Sequence, residues 1–445
     1  MTVTTETSPA TTAKTTVGNY FVANYPPFSF WKPEHTDAVR AALEQPPQPD
    51  TPLGVYVHLP FCRKRCHFCY FRVYTGQDAK RDRVARYLES VLRELEIYSA
   101  TPLVAGRRPR YVYFGGGTPS FLSPAQLMQL IGGMRRILPW DDVEEVTFEC
   151  EPGTLDDEKL QTLYALGITR LSLGIENFDD EILRSNGRAH LSREIYRAYE
   201  SARSIGFRQI NVDLIAGMLN ETEENWRDCV RKAIRLEPDC LTIYQMEIPF
   251  NTTIYQQMRD RGEVTAPVAD WPTKRAWAAL AFEDLERAGY TVTSAYTAVR
   301  DPQAFHFLYR DYLWSGADMI SLGVSSFGHF RGTHYQNEKD LGPYVERLAR
   351  DELPIHRALA MTGDEKLIRE LILQLKLGGL DGSYFRRKFD TDILARFAEP
   401  LARLHDSGDL IVEGDRVMVT RPGLLRIDSL LPEFYLPQHR GARYT

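Results

Sequence analysis

The chain has 445 residues, 43% of them hydrophobic, and a formal net charge of −6. That length allows two or three domains with sizeable cores, while an acidic total argues against a nucleic-acid binder. No apolar run is long enough to span a bilayer, and six Cys, three of them clustered, do not form the pattern of a disulfide framework.

Residues 1–18, MTVTTETSPATTAKTTVG, are rich in Thr and Ala and lack an apolar secretory core, so they read as a disordered leader of a cytoplasmic protein. Residues 19–52 form an N-terminal arm, whose stretch NYPPFSFWKPEH (24–35) sets aromatic residues between prolines and is expected to pack on the body. Strand and helix signals then alternate. Strands are predicted at 54–59, 110–114, 144–150, 169–174, 209–217 and 240–248, with amphipathic helices at 81–98, 124–137, 155–166, 191–205 and 223–236. This alternation predicts an α/β fold, a complete or partial parallel (β/α) barrel over 53–300. Residues 301–355 read as a barrel extension and substrate-side connection.

From 356 to 430 the pattern changes. Thr362 and Glu365 form a capping box ahead of Leu367, Ile368, Leu371 and Ile372. A second helix is predicted at 391–406, then a hairpin turning at Glu413, Gly414 and Asp415. Helices followed by a hairpin suggest a small C-terminal winged-helix-like module, read as a lid and not as a nucleic-acid reader. Residues 431–445 form a tail.

Function sits on the strand ends. Cys62, Cys66 and Cys69 follow the first strand in YVHLPFCRKRCHFCYF, and three thiolates suit either zinc or an iron-sulfur cluster. Spacing alone leaves both open, since His67 could complete a zinc site. After the second strand comes YVYFGGGTPS (111–120), where glycines permit close approach of backbone to a ligand. Cys150, Cys229 and Cys240 are scattered and read as reduced, buried thiols.

CxxxCxxC after one strand and GGGTP after the next resemble the radical S-adenosylmethionine (SAM) superfamily. Across 53–430 the chain resembles its oxygen-independent coproporphyrinogen III dehydrogenase-like group, through YVHLPFC, YFGGGTPSFL, FECEP, RLSLGIENF, NGRAH, NVDLIAGM and HYQNEKDL. The resemblance implies that Cys62, Cys66 and Cys69 bind three irons of a 4Fe-4S cluster while SAM chelates the fourth. It further implies that Gly115, Gly116, Gly117 and Thr118 line the methionine part of SAM, and that Phe68 packs on the adenine. Glu149, Glu176, Arg188 and Asp213 match SAM-binding polar positions, with carboxylates suited to ammonium and ribose hydroxyls and a guanidinium suited to the methionine carboxylate. Tyr56 matches a tyrosine near the cluster.

Three departures point away from coproporphyrinogen decarboxylation. Phe71 stands where the coproporphyrinogen enzymes carry another Cys, Ala295, Tyr296 and Thr297 replace a Met-Asp-His stretch, and Tyr309 and Arg310 replace a Phe-Gln pair near a second SAM. The expected reaction is therefore that of the group's methyltransferases. One SAM yields a 5′-deoxyadenosyl radical, and a second donates a methyl or methylene group to an sp2 carbon of a flat unsaturated small molecule. Tyr296, Tyr309, Arg310, Tyr312, Trp314 and Phe327 are the expected substrate-side residues. The alternatives are the coproporphyrinogen dehydrogenase reaction and a haem chaperone, for which His329 or His334 would be the haem ligand. A reducing partner such as flavodoxin or ferredoxin is implied by the chemistry.

Overall fold

The computed structural model describes residues 21–260 and 268–442; the expected leader and the last residues of the tail lie outside them. Six strands, β1 (Leu53–Leu59), β2 (Tyr111–Gly116), β3 (Glu145–Cys150), β4 (Arg170–Glu176), β5 (Gln209–Ala216) and β6 (Cys240–Gln245), run parallel in chain order. Each rises within two residues of where alternation placed it, and helices connect successive strands as parallel pairing demands. The last strand stops three residues early, because after Gln245 the chain turns away and the Met246 amide bonds back to the Ala216 carbonyl.

On the β6 side, β7 (Thr291–Val292) and β8 (Thr297–Val299) pair antiparallel. On the β1 side, β9 (Asp318–Leu322) adds in parallel, followed by the antiparallel meander β10 (Phe327–Phe330), β11 (Thr333–Asn337) and β12 (Ile355–Ala360). The order is β12-β11-β10-β9-β1-β2-β3-β4-β5-β6-β8-β7. The barrel is thus partial, and residues 318–360 continue its sheet. The arm closes the meander's outer edge: Lys32 bridges to Ala358, and Trp31 stacks on His334 at 4.8 Å.

The outward face of the sheet is apolar, with Val55, Val57, Val112, Phe114, Val146, Leu171 and Val212 fully buried beneath the helices. The inward face is polar. Ser172 donates to Asp213 at 2.8 Å, Asn211 donates to Ser172 and Asp213, and Thr242 donates to Asn211 at 3.0 Å. This network fixes the carboxylate of Asp213 without an apolar filler.

The C-terminal module has its own core, built on Leu371, Ile372, Phe385, Leu401 and Val417, and Val22 and Tyr25 of the arm insert into it. Thr362 and Glu365 make the expected capping box for the helix Gly363–Leu375. The helix expected at 391–406 is instead two, Ile393–Arg396 and Ala398–Asp406, since Phe397 leaves helical geometry to bury its ring against Phe434. A three-stranded sheet of β13 (Gly379–Asp381), β14 (Leu410–Glu413) and β15 (Arg416–Val419) completes it, with Gly414 at φ +56 in the hairpin turn.

Candidate active site

The three-cysteine loop leaves the carboxyl end of β1, and the glycine loop leaves that of β2. Parallel pairing sets Leu59 opposite Gly116. Two backbone bonds then staple the loops together, Gly117 N–H to Leu59 O at 2.8 Å and Thr118 N–H to Phe61 O at 2.9 Å. A Cβ on Gly117 would meet Pro60 C at 2.8 Å, Leu59 O at 2.9 Å and Cys62 Sγ at 3.1 Å, so only glycine fits there. Gly116 has φ +113, and a Cβ would strike the His58 ring at 2.6 Å.

All six cysteines are free thiols. Burial pushes Cys62 up to about 12 and Cys69 up to about 11, so each needs a bound cation to stand as thiolate. Thr118 Oγ1 donates to Cys62 Sγ at 3.2 Å, and Arg188 Nη1 donates to Cys66 Sγ at 3.2 Å. His67 is engaged elsewhere, its Nδ1 facing the Ser185 carbonyl at 3.0 Å and its ring under Gly187. Among the described residues no three His, Cys, Asp or Glu side chains converge on one ion position. His67 is thus turned away from a tetrahedral zinc site, and three cysteines on one short loop are a donor set that an iron-sulfur cluster takes.

Around the thiols stand four polar groups. Glu149 accepts from Tyr113 OH at 2.6 Å and Gly116 N–H at 3.1 Å, yet burial, with Asp213 nearby, pushes its carboxyl up to about 7. Glu176 rises likewise to about 7 through burial, opposed by Arg188. It has φ +66 at an irregularity of the β4–β5 register, a strained position that aims its side chain at Arg188, 3.5 Å away. Burial also raises Asp213. Although burial opposes its charge, Arg188 is held protonated by Cys66, Glu176 and Glu151. Its Nη2 donates to Gly174 O at 2.6 Å, while its Nε is buried without a partner. That orphan donor and the glycine cradle are what a carboxylate- and amine-bearing cofactor would complete.

Several residues escape motif reading. Glu151 receives two prongs from Arg63, at 3.2 and 3.0 Å, and the His190 ring nitrogen at 3.0 Å. Against burial, those partners pull it down to about 2, fixing the NGRAH segment beside the cluster loop. His58 lies under Gly116 with Nδ1 3.2 Å from Tyr56 OH and Nε2 unpartnered, and burial lowers it to about 4, so it is neutral. Tyr56 stacks on Tyr113 at 5.8 Å. Phe68 rests against Ile182, Met218 and Met246.

The expected substrate aromatics do not form one wall. Tyr309 enters the barrel, 4.4 Å from Tyr113. Tyr296 bonds Asp428 and faces Phe21 at 5.0 Å, sealing the module to the barrel. Trp314 packs beside Lys376, Tyr312 reaches Glu144 on the opposite side, and Phe327 packs on Phe28 and Trp31 of the arm. Arg310 lines a cavity of about 220 Å³ with Cys240, Thr297 and Phe307, at the strand-beginning end of the barrel. The two histidines are turned on each other: their Nδ1 atoms face at 3.0 Å, and His334, whose Nε2 also faces Tyr25 O at 2.9 Å, has both ring nitrogens engaged. Both are buried.

Residues 56–233 match the model of the radical SAM superfamily. The oxygen-independent coproporphyrinogen III oxidase of Escherichia coli K12 is 29% identical over 398 residues, covering 86% of this chain and 85% of that protein. The haem chaperone of Bacillus subtilis is 26% identical over 374 residues, covering 84% and 96%. The solved structure of the Escherichia coli coproporphyrinogen III oxidase, described as a radical SAM enzyme, superposes with TM-score 0.79 at 26% identity, covering 93% of this chain and 96% of that one. These findings overturn the methyl-transfer expectation. Likeness over most of the chain runs to proteins named as coproporphyrinogen oxidases and to a haem chaperone, and the departures at Phe71, Tyr296, Tyr309 and Arg310 alter single positions within that shared frame.

Proposed function

We propose that this chain, which belongs to the radical SAM superfamily, performs oxygen-independent oxidation of a coproporphyrinogen-type tetrapyrrole, converting propionate side chains by oxidative decarboxylation. One observation carries this reading: the structural match to the coproporphyrinogen oxidase extends through the C-terminal module as well as the barrel. A 4Fe-4S cluster with SAM, held at this site, would supply the hydrogen-atom abstraction that such an oxidation needs.

The chain's own residues hold and orient that pair. Cys62, Cys66 and Cys69 provide the thiolates, with Thr118 and Arg188 donating to sulfur and so stabilising its charge. Gly115, Gly116 and Gly117 would admit the methionine part of SAM against backbone, and Glu149 at their edge would hold its ammonium. Arg188, whose Nε is buried without a partner, would bind the carboxylate. Glu176 and Asp213 would take the ribose hydroxyls and Phe68 the adenine, with Tyr56 near the cluster. A reducing partner such as flavodoxin or ferredoxin would supply the electron that cleaves SAM, and a one-electron acceptor would take the electron left on the substrate as carbon dioxide departs and the vinyl group forms. The test is anaerobic incubation of the cluster-loaded protein with SAM, a reductant and coproporphyrinogen III, followed by mass spectrometry. Vinyl-bearing product with 5′-deoxyadenosine is expected; 5′-deoxyadenosine with unchanged tetrapyrrole would refute the substrate class.

A further inference from the structure

Large hydrophobic side chains left exposed in the described residues are few, and four of them lie on the cluster loop or at and just after the end of β6: Tyr70 (38% exposed), Phe71 (44%), Tyr244 (39%) and Phe250 (58%). Tyr70 and Phe71 follow the last cluster cysteine directly, and their rings lie 4.6 Å apart. The segment bearing Phe250 is tied to them, since Asn251 Nδ2 donates to Tyr70 O at 2.7 Å. Arg65 Nη2 bridges both segments, donating to Cys69 O at 3.0 Å and Asn251 O at 3.2 Å, while its Nε is buried without a partner. Tyr244 ends β6 on the inward face. Strand pairing sets Thr242 opposite Asp213, so Tyr244, two residues on, shares the inward face with that carboxylate at the carboxyl end of the sheet.

Exposed aromatic surface held rigid by backbone bonds costs solvation unless something covers it. Continuity with the cluster loop places whatever covers it within reach of SAM. Resting on the tetrapyrrole reading above, we propose that Tyr70, Phe71 and Phe250 form the platform on which two pyrrole rings stack, with Arg65 facing a propionate carboxylate and Tyr244 marking the inner limit. Aromatic rings give flat apolar area at small entropic cost, and a guanidinium beside them supplies the charge that a carboxylate arm needs. Phe71, directly after the cluster loop and 44% exposed, is then a substrate-positioning residue.

The test uses the cluster-loaded protein with SAM, kept anaerobic, and coproporphyrin III as a fluorescent probe. Phe250→Ala and Phe71→Ala should each raise its Kd about tenfold, and Phe71→Trp should restore it, with SAM affinity and iron content unchanged in Phe250→Ala. Binding by the unaltered protein with the same Kd in both alanine variants would overturn the platform and leave the tetrapyrrole reading standing. Failure of the unaltered protein to bind the porphyrin at all would overturn that reading, and the platform with it.

Discussion

Replacing Gly117 by Ala perturbs the join between the two loops while adding a single carbon. An ideal Cβ would lie 2.8 Å from Pro60 C and 2.9 Å from Leu59 O, both backbone atoms, and 3.1 Å from Cys62 Sγ. Ordinary contact needs roughly 3.5 Å or more between such atoms, so the chain carrying Cys62 must retreat by about half an ångström or more. Overpacking of this kind costs about 1–3 kcal/mol. The strain falls on the cluster loop itself, so it should emerge as a roughly 5- to 150-fold loss of SAM affinity with incomplete cluster loading. Gly132→Ala is the control: within the helix Pro124–Ile137 its Cβ meets only Arg136 Nη1, at 3.7 Å. That variant should gain about 0.5–1 kcal/mol of stability and bind SAM normally. Iron and sulfide content with equilibrium SAM binding read the outcome. Normal loading and affinity in Gly117→Ala would refute the claim that the glycine loop is a close-approach cradle.

Arg188→Lys keeps a charge but loses the fork that reaches Cys66 and Gly174 together, so SAM affinity should fall about tenfold or more in equilibrium dialysis; unchanged affinity would leave Arg188 a structural role. Glu94 is fully buried and accepts from Gly323 N–H, Asn337 Nδ2 and Tyr344 OH, while burial pushes its carboxyl from the ordinary 4.5 up to about 8. Between those values the folded chain keeps a proton that the unfolded chain has released. Its contribution to stability, on the order of a few kcal/mol, is therefore fully present below 4.5 and lost as pH rises through 8. Denaturant titrations across that window should show stability falling with pH, and falling less in Glu94→Gln. Lys376 is buried against Asp428 at 2.9 Å, with Phe21 beneath it at 3.7 Å. Asp428→Asn strands that charge and should cost about 3–5 kcal/mol of stability, read by chemical denaturation.

The barrel was legible in sequence because period-two strands and amphipathic helices alternate, and because parallel strands gather polar residues at their carboxyl ends. Motif residues such as Gly117 and Thr118 were placed by backbone bonds between the two loops. The substrate face was not legible. Trp314 and Phe327 look like wall residues from composition, yet one packs beside Lys376 of the C-terminal module and the other beneath the arm. Such packing joins segments far apart in sequence, and no local period encodes it. The roles of Glu151 and His190 were hidden for the same reason: each is ordinary alone and becomes a clamp only with Arg63. His329 and His334 looked available until strand pairing set them face to face.

The central claim, hydrogen abstraction from a tetrapyrrole propionate, is tested most directly with coproporphyrinogen III deuterated on its propionate carbons. The cluster-loaded protein should transfer deuterium to 5′-deoxyadenosine as vinyl product forms. Unlabelled 5′-deoxyadenosine released without any vinyl product would contradict it.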